Sequence, residues 1–195
     1  KCAKEIIDAF KNQKIMNVFV HAHTQCGKTG TAVSVIDQYL KYTEYDKDLL
    51  IPPDNIYVIS GLSSNEWKDQ TKERFPENLR KNIFHRDKLT TEFLKKILNE
   101  TNILIILDEI QLAAKNNQTL NKVFKEAGFY SLEKLYKNDI KIINFSATPN
   151  GVLHDILDWE ENSTIIKLSP GKDYKGCIDL LKEGRIFQYK NLQQI

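Results

Sequence analysis

Arginine is scarce in this chain. Of its 28 basic residues only Arg74, Arg80, Arg86 and Arg185 carry a guanidinium; the rest are lysines. Guanidinium forks grip phosphates with paired hydrogen bonds, so clamps of that kind must be few. Net charge is equally slight, +2 at neutral pH. That excludes a strongly basic nucleic-acid tail but leaves room for a local basic groove. The three cysteines, Cys2, Cys26 and Cys177, lie far apart with no C-x-x-C pair. This speaks against a disulfide framework and for a reduced, intracellular setting, cytoplasm or nucleus, a viral source included. There is no apolar run of membrane-spanning length and no signal-peptide pattern, so no membrane partner is expected. Internal repeats and low-complexity segments are also missing. Lys1 stands where an initiating Met is usual, as in a fragment or a processed chain.

What is present is an alternation. The 195 residues suit one well-buried domain. Apolar positions at Ala3, Ile6, Ile7 and Phe10 have helical spacing. Residues 17–22 read as a buried strand, and Val33, Ile36 and Leu40 as the inner stripe of a helix from Lys28 to about Tyr42. Pro52-Pro53-Asp54 breaks the chain before a strand at Ile56–Ile59. A helix over Glu66–Phe75, a short strand at Ile83-Phe84, and a helix from Thr90 to Leu98 capped by Thr90 or Thr91 follow. Ile103–Leu107 is five consecutive aliphatic residues, the pattern of a central strand buried on both faces. Two short helices are expected between Thr119 and Lys137, a strand at Ile140–Phe145, a short helix at Val152–Leu157 and a last strand at Thr164–Leu168. Strands alternating with helices predict an α/β fold, a mostly parallel sheet with helices on both faces. Ser169-Pro170-Gly171-Lys172 interrupts the pattern. Residues 1–168 are therefore read as one domain, and 169–195 as an extension or the start of a linker.

The stretch Ala22-His23-Thr24-Gln25-Cys26-Gly27-Lys28-Thr29 has the form of a phosphate-binding loop, between a strand and a helix as that motif requires. Amides from Gln25 to Thr29 and the positive end of the following helix make an anion site, with Thr24, Gln25, Cys26 and Gly27 forming the turn. Lys28 adds a mobile positive charge for the outer phosphates, and the Thr29 hydroxyl can ligate Mg2+. The bland alternative is a Gly-Lys turn capping an ordinary helix. Cys26 lies beside Lys28 and a helix N-terminus, a setting that lowers a thiol pKa. Simple tolerance of Cys at a variable loop position is the plainer reading.

A second element ends a strand: Leu107-Asp108-Glu109-Ile110-Gln111. An aspartate there can hold Mg2+ through water, and the adjacent glutamate can polarise the water that attacks the outer phosphate. Asp-Glu after aliphatic residues is common by itself; the loop upstream gives it meaning. The third, Phe145-Ser146-Ala147-Thr148-Pro149, also follows a strand. The hydroxyls of Ser146 and Thr148 can bond the acidic segment and report which nucleotide is bound; a helix cap at Thr148 or Asn150 is the alternative. All three fall at carboxyl ends of strands, where parallel sheets bind ligands.

In this order the pieces resemble the motifs of superfamily 2 DEAD/DExH-like helicases and translocases: motif I at Ala22–Thr29, motif II at Asp108–Gln111 and motif III at Ser146–Thr148. The likeness spans about residues 15–168 and implies the first of that family's two RecA-like P-loop ATPase domains. Gln111 departs from the usual Asp or His, which leaves the subgroup open. A glutamine both donates and accepts, so a link from Gln111 to Ser146 or Thr148 stays available. The resemblance also places Ser63, Ser64 and Asn65 at a backbone-contacting segment, and Arg86 at a second one. Gln13 is a loose candidate for reading adenine. A loop arginine in solvent is the ordinary reading of Arg86, and packing that of Trp67. His21 and His23 without further ligands make a poor metal site.

The resemblance implies ATP hydrolysis with Mg2+, driving translocation on or unwinding of DNA or RNA. Lys28 and Glu109 would be catalytic together with Gln111; Thr29 and Asp108 would hold the metal. Such ATPases need an arginine finger, which in this family comes from a second RecA-like domain. Two rivals share the evidence. One is the ATPase half of a DNA-packaging terminase or restriction-type translocase. The other is a nucleotide-dependent binding module that does not move along anything.

Overall fold

The structure, a computed structural model, describes residues 1–23, 26–42, 51–61, 71–109, 119–147, 160–172 and 174–186. Six strands form one sheet: β1 (Asn17–Ala22), β2 (Ile56–Ser60), β3 (Ile83–His85), β4 (Ile103–Asp108), β5 (Ile140–Ser146) and β6 (Ser163–Leu168). Their order across the sheet is β3-β2-β4-β5-β1-β6, and every pairing is parallel. The expected α/β class is the observed one, with the sheet wholly parallel.

Parallel strands need crossovers, and those crossovers cover both faces. The pleat divides β4 between them. Leu104 and Ile106 join one cluster with α1 (Cys2–Phe10) and α2 (Lys28–Tyr42). Ile103, Ile105 and Leu107 join the other, beneath α3 (Thr91–Asn99), α4 (Thr119–Ala127) and α5 (Leu132–Lys137). This explains five aliphatic residues in a row: neither face meets water. α1 turns Cys2, Ala3, Ile6, Ile7 and Phe10 inward, and each large aliphatic side chain so buried contributes about 1.5–3 kcal/mol. α3 begins where a hydroxyl can accept an orphan amide: Thr90 Oγ1 takes a hydrogen bond from Phe93 N at 3.1 Å.

Edges differ from the centre. Among the described residues β6 pairs with β1 alone, and Ile165 on it is exposed. The region after β6 holds an element for which no expectation was stated. Cys177–Lys182 is a short helix, α6, whose Asp179 carboxylate accepts the Gly176 amide at 3.0 Å. Breakers at 169–172 concealed it, because they precede a new helix as readily as they end a domain. The Glu66–Phe75 expectation is visible only as helical residues 71–74. The expected helix at Val152–Leu157 lies outside the described residues.

Candidate functional site

β1 ends at Ala22 and α2 begins at Lys28. Gly27 has φ +96°, in the left-handed region where only glycine is unstrained. That backbone turn lets α2 point its first amides back toward the strand end. The register carries the site across the sheet: Asp108 on β4 lies beside Phe145 on β5, and Phe145 beside Val20 on β1. Lys28 and Asp108-Glu109, eighty residues apart in sequence, therefore meet at one edge.

They meet through an ion pair. Lys28 Nζ donates to Glu109 Oε1, with both side chains largely buried. Glu109 is further fixed by its backbone, whose N–H donates to Phe145 O at 3.0 Å. Its Oε2 accepts Ala147 N at 3.5 Å. It adopts φ +51°, a left-handed conformation that costs a residue with a Cβ about 1–2 kcal/mol. Such strain persists where surrounding contacts over-determine it, commonly at functional sites.

Asp108 is different. Its carbonyl accepts Gly61 N at 2.9 Å. Among the described residues its Oδ1, shielded from solvent, has no hydrogen-bond partner. Burial pushes its carboxyl up to about 6, nearby Lys28 acting against that and Glu109 with it. A hollow of about 280 Å³, part of it open to solvent, has Lys28, Thr29 and Asp108 among its polar walls and Val58, Ile106 and Phe145 among its apolar ones. A buried acceptor without a donor, beside a lysine and a threonine hydroxyl, suits a hydrated divalent cation. Among the described residues no group of three or more His, Cys, Asp or Glu could hold a metal without further ligands. An ion here would complete its shell with water and ligand oxygens.

Of the residues singled out from sequence, Lys28, Thr29, Asp108 and Glu109 come together, and Cys26 and Gly27 adjoin them. Ser146 is buried at the end of β5, in register with His21. Arg86 sits in the turn after β3, half-buried, its Nε 3.7 Å from Asp87 Oδ1. Thr24, Gln25, Ser63, Ser64, Asn65, Trp67, Gln111 and Thr148 lie outside the described residues.

Two expectations are corrected. The Cys26 thiol is raised rather than lowered: burial outweighs the pull of Lys28. Gln13 lies in the turn before β1, at the sheet edge opposite the phosphate loop. Six strand residues, roughly 20 Å, separate the two. It is the start of α1 that lies near the loop, since Cys26 packs against the cluster that holds Cys2 and Ala3. Sequence reasoning also passed over Thr71, which lines the hollow, and the burial of Ser60 and His85 at neighbouring strand ends. Their common rung was the available signal, and only the register reveals it.

No helix among the described residues is long and apolar enough to cross a membrane. No protein-family model and no curated protein matches the chain. Among solved structures, the helicase domain of Hef from Pyrococcus furiosus aligns with TM-score 0.39 and 18% identity. The alignment covers 86% of this chain and 38% of that one, so the present chain spans well under half its length.

Proposed function

We propose that this chain is an ATP-binding and ATP-hydrolysing RecA-like domain of a superfamily 2 helicase or translocase acting on DNA or RNA. The observation that supports it best is the meeting of Lys28 with Asp108-Glu109 at the carboxyl ends of β1 and β4, around one hollow. In this reading the loop amides and Lys28 take the phosphates of ATP. Thr29 and Asp108 hold Mg2+, which when bound neutralises the outer phosphates. Glu109 orients the attacking water after Lys28 has left it for the nucleotide. Ser146, at the end of the strand between β1 and β4, couples the site to the nucleic-acid surface with Thr148 and Gln111. Arg86, Ser63 and Ser64 serve that surface.

Among the described residues no arginine lines the hollow. A second RecA-like domain supplies the finger, a group worth about 10³–10⁵ in rate. Turnover by these 195 residues alone is accordingly slow. The test is nucleotide binding by calorimetry, followed by ATPase assays with and without single-stranded DNA or RNA. Lys28→Ala abolishes binding; Glu109→Gln binds and does not turn over. Binding that survives Lys28→Ala overturns the reading. ATP hydrolysis that the polynucleotides leave unchanged favours the stationary binding module instead.

A further inference from the structure

β4 ends at Asp108 and β5 at Ser146, and Glu109 carries the ladder one bond past those ends. Its N–H donates to Phe145 O at 3.0 Å. In a parallel ladder the residue that donates to carbonyl i accepts, through its own carbonyl, the amide of i+2. The amide due to Glu109 is therefore that of Ala147. That amide does reach Glu109, but at the side chain: Ala147 N donates to Oε2 at 3.5 Å.

The backbone of Glu109 explains the exchange. At φ +51° the chain has left the extended conformation that aims a carbonyl along the ladder. The strain sets a carboxylate, rather than a carbonyl, against the end of β5. The two oxygens of that carboxylate have different partners. Oε1 accepts from Lys28 Nζ and Oε2 from Ala147 N. An N–H on a carboxylate ordinarily sits at about 2.7–2.9 Å, so the Ala147 bond is long while Lys28 holds the other oxygen. Catalytic hydrogen bonds that are long in a ligand-free site tighten once the ligand is bound.

We propose that the backbone N–H of Ala147 is a positioning donor for Glu109. It pins Oε2 to the end of β5. When a triphosphate draws Lys28 away, only Oε1 changes partner, exchanging the lysine for the attacking water. A shift at the end of β5 is thereby felt at the oxygen that orients that water. The positioning role rests on the proposed function; the contact itself does not.

Hydrogen exchange followed by NMR, in protein free of nucleotide and metal, judges the contact. The Ala147 amide should exchange slowly in wild type and about tenfold faster in Glu109→Ala, the scale of one hydrogen bond to a charged group. The amides of Asn144 and Phe145 should keep their protection. Equal exchange at Ala147 in the two proteins overturns the contact. Should Glu109→Ala loosen the whole strand, the isosteric Glu109→Gln, a weaker acceptor, decides by the same comparison.

Saturation with Mg2+ and a non-hydrolysable ATP analogue tests the pinning. Exchange at Ala147 should hold or slow further. Faster exchange overturns the role, because the glutamate has then swung away from β5. Replacing the Ala147 amide by an ester removes the N–H alone. It should lower single-turnover ATP hydrolysis about tenfold while affinity for the analogue stays unchanged. A rate within about threefold of wild type, or an equal fall in affinity, overturns the role. If the ester chain does not fold, exchange with the analogue bound decides alone. A wild-type protein that binds no nucleotide sinks the proposed function and the positioning role together, while the ligand-free exchange still judges the contact.

Discussion

The two faces of the sheet are built from the same strands and do different work. Beneath α3, α4 and α5 the packing is aliphatic and aromatic, with Phe124 stacked on Phe129 at 4.6 Å between ring centroids. Beneath α1 and α2 the same kind of packing runs up to the carboxyl edge and then gives way to His85, Ser60, Asp108 and Lys28. One face is optimised for contact. The other keeps two buried atoms, His85 Nε2 and Asp108 Oδ1, without a hydrogen-bond partner among the described residues, and a glutamate in a strained conformation. Stability and chemistry are thus segregated by the pleat, whose period of two sends alternate residues to opposite sides.

The strongest way to break this division is to damage the far face. Phe124 is fully buried, and Phe124→Ala should cost about 3–5 kcal/mol in urea denaturation, through lost transfer energy and the cavity left behind. Nucleotide affinity of the folded fraction should be unchanged. A parallel fall in affinity would show that the faces are not independent.

Next in size is a change that should help the ligand-free fold. Asp108 has its carboxyl raised from 3.8 to about 6, chiefly by burial. A carboxyl raised in the folded state is favoured when protonated. Its contribution is therefore fully present below pH 3.8 and lost as pH rises through about 6. The loss amounts to about 3 kcal/mol, at 1.36 kcal/mol per unit. Asp108→Asn removes the burden of the charge, so the variant should be more stable than wild type at pH 8 and lose that advantage by pH 4. Denaturation at the two pH values checks it. Equal stability at both would place the strain of this face elsewhere, at Glu109.

Most of this architecture was legible in the chain. Ile103–Leu107 reads as a doubly covered strand, and the cap of the following amphipathic pattern at 90–98 could be narrowed to Thr90 or Thr91, of which the structure uses Thr90. Spacing also located Lys28 at the start of a helix and Asp108 at the end of a strand. What it did not disclose depends on register and burial. Nothing in the order of residues says that Lys28 reaches Glu109, that Asp108 is left without a donor, or that His85 and Ser60 share its rung. The lesser of the two readings of Cys26, a lowered thiol, fails for the same reason: adjacent charge is visible in sequence, whereas desolvation is not. Gln13 was misplaced because the direction of α1 decides which of its ends meets the loop.

The finest test is the Thr90 cap, which lies on the far face but carries no core packing. Thr90→Ala strips the acceptor from Phe93 N at the start of α3 and should cost about 1 kcal/mol. For a chain of this size that lowers Tm by about 2–4 °C. α3 closes the far face through Leu94, Ile97 and Leu98, and none of these touches the hollow. Calorimetry should therefore show the shift in Tm with the Mg2+ dependence of nucleotide binding unmoved. If loosening this one turn changes the metal requirement, β4 carries strain from one face to the other, and the independence of the two faces fails at its weakest point.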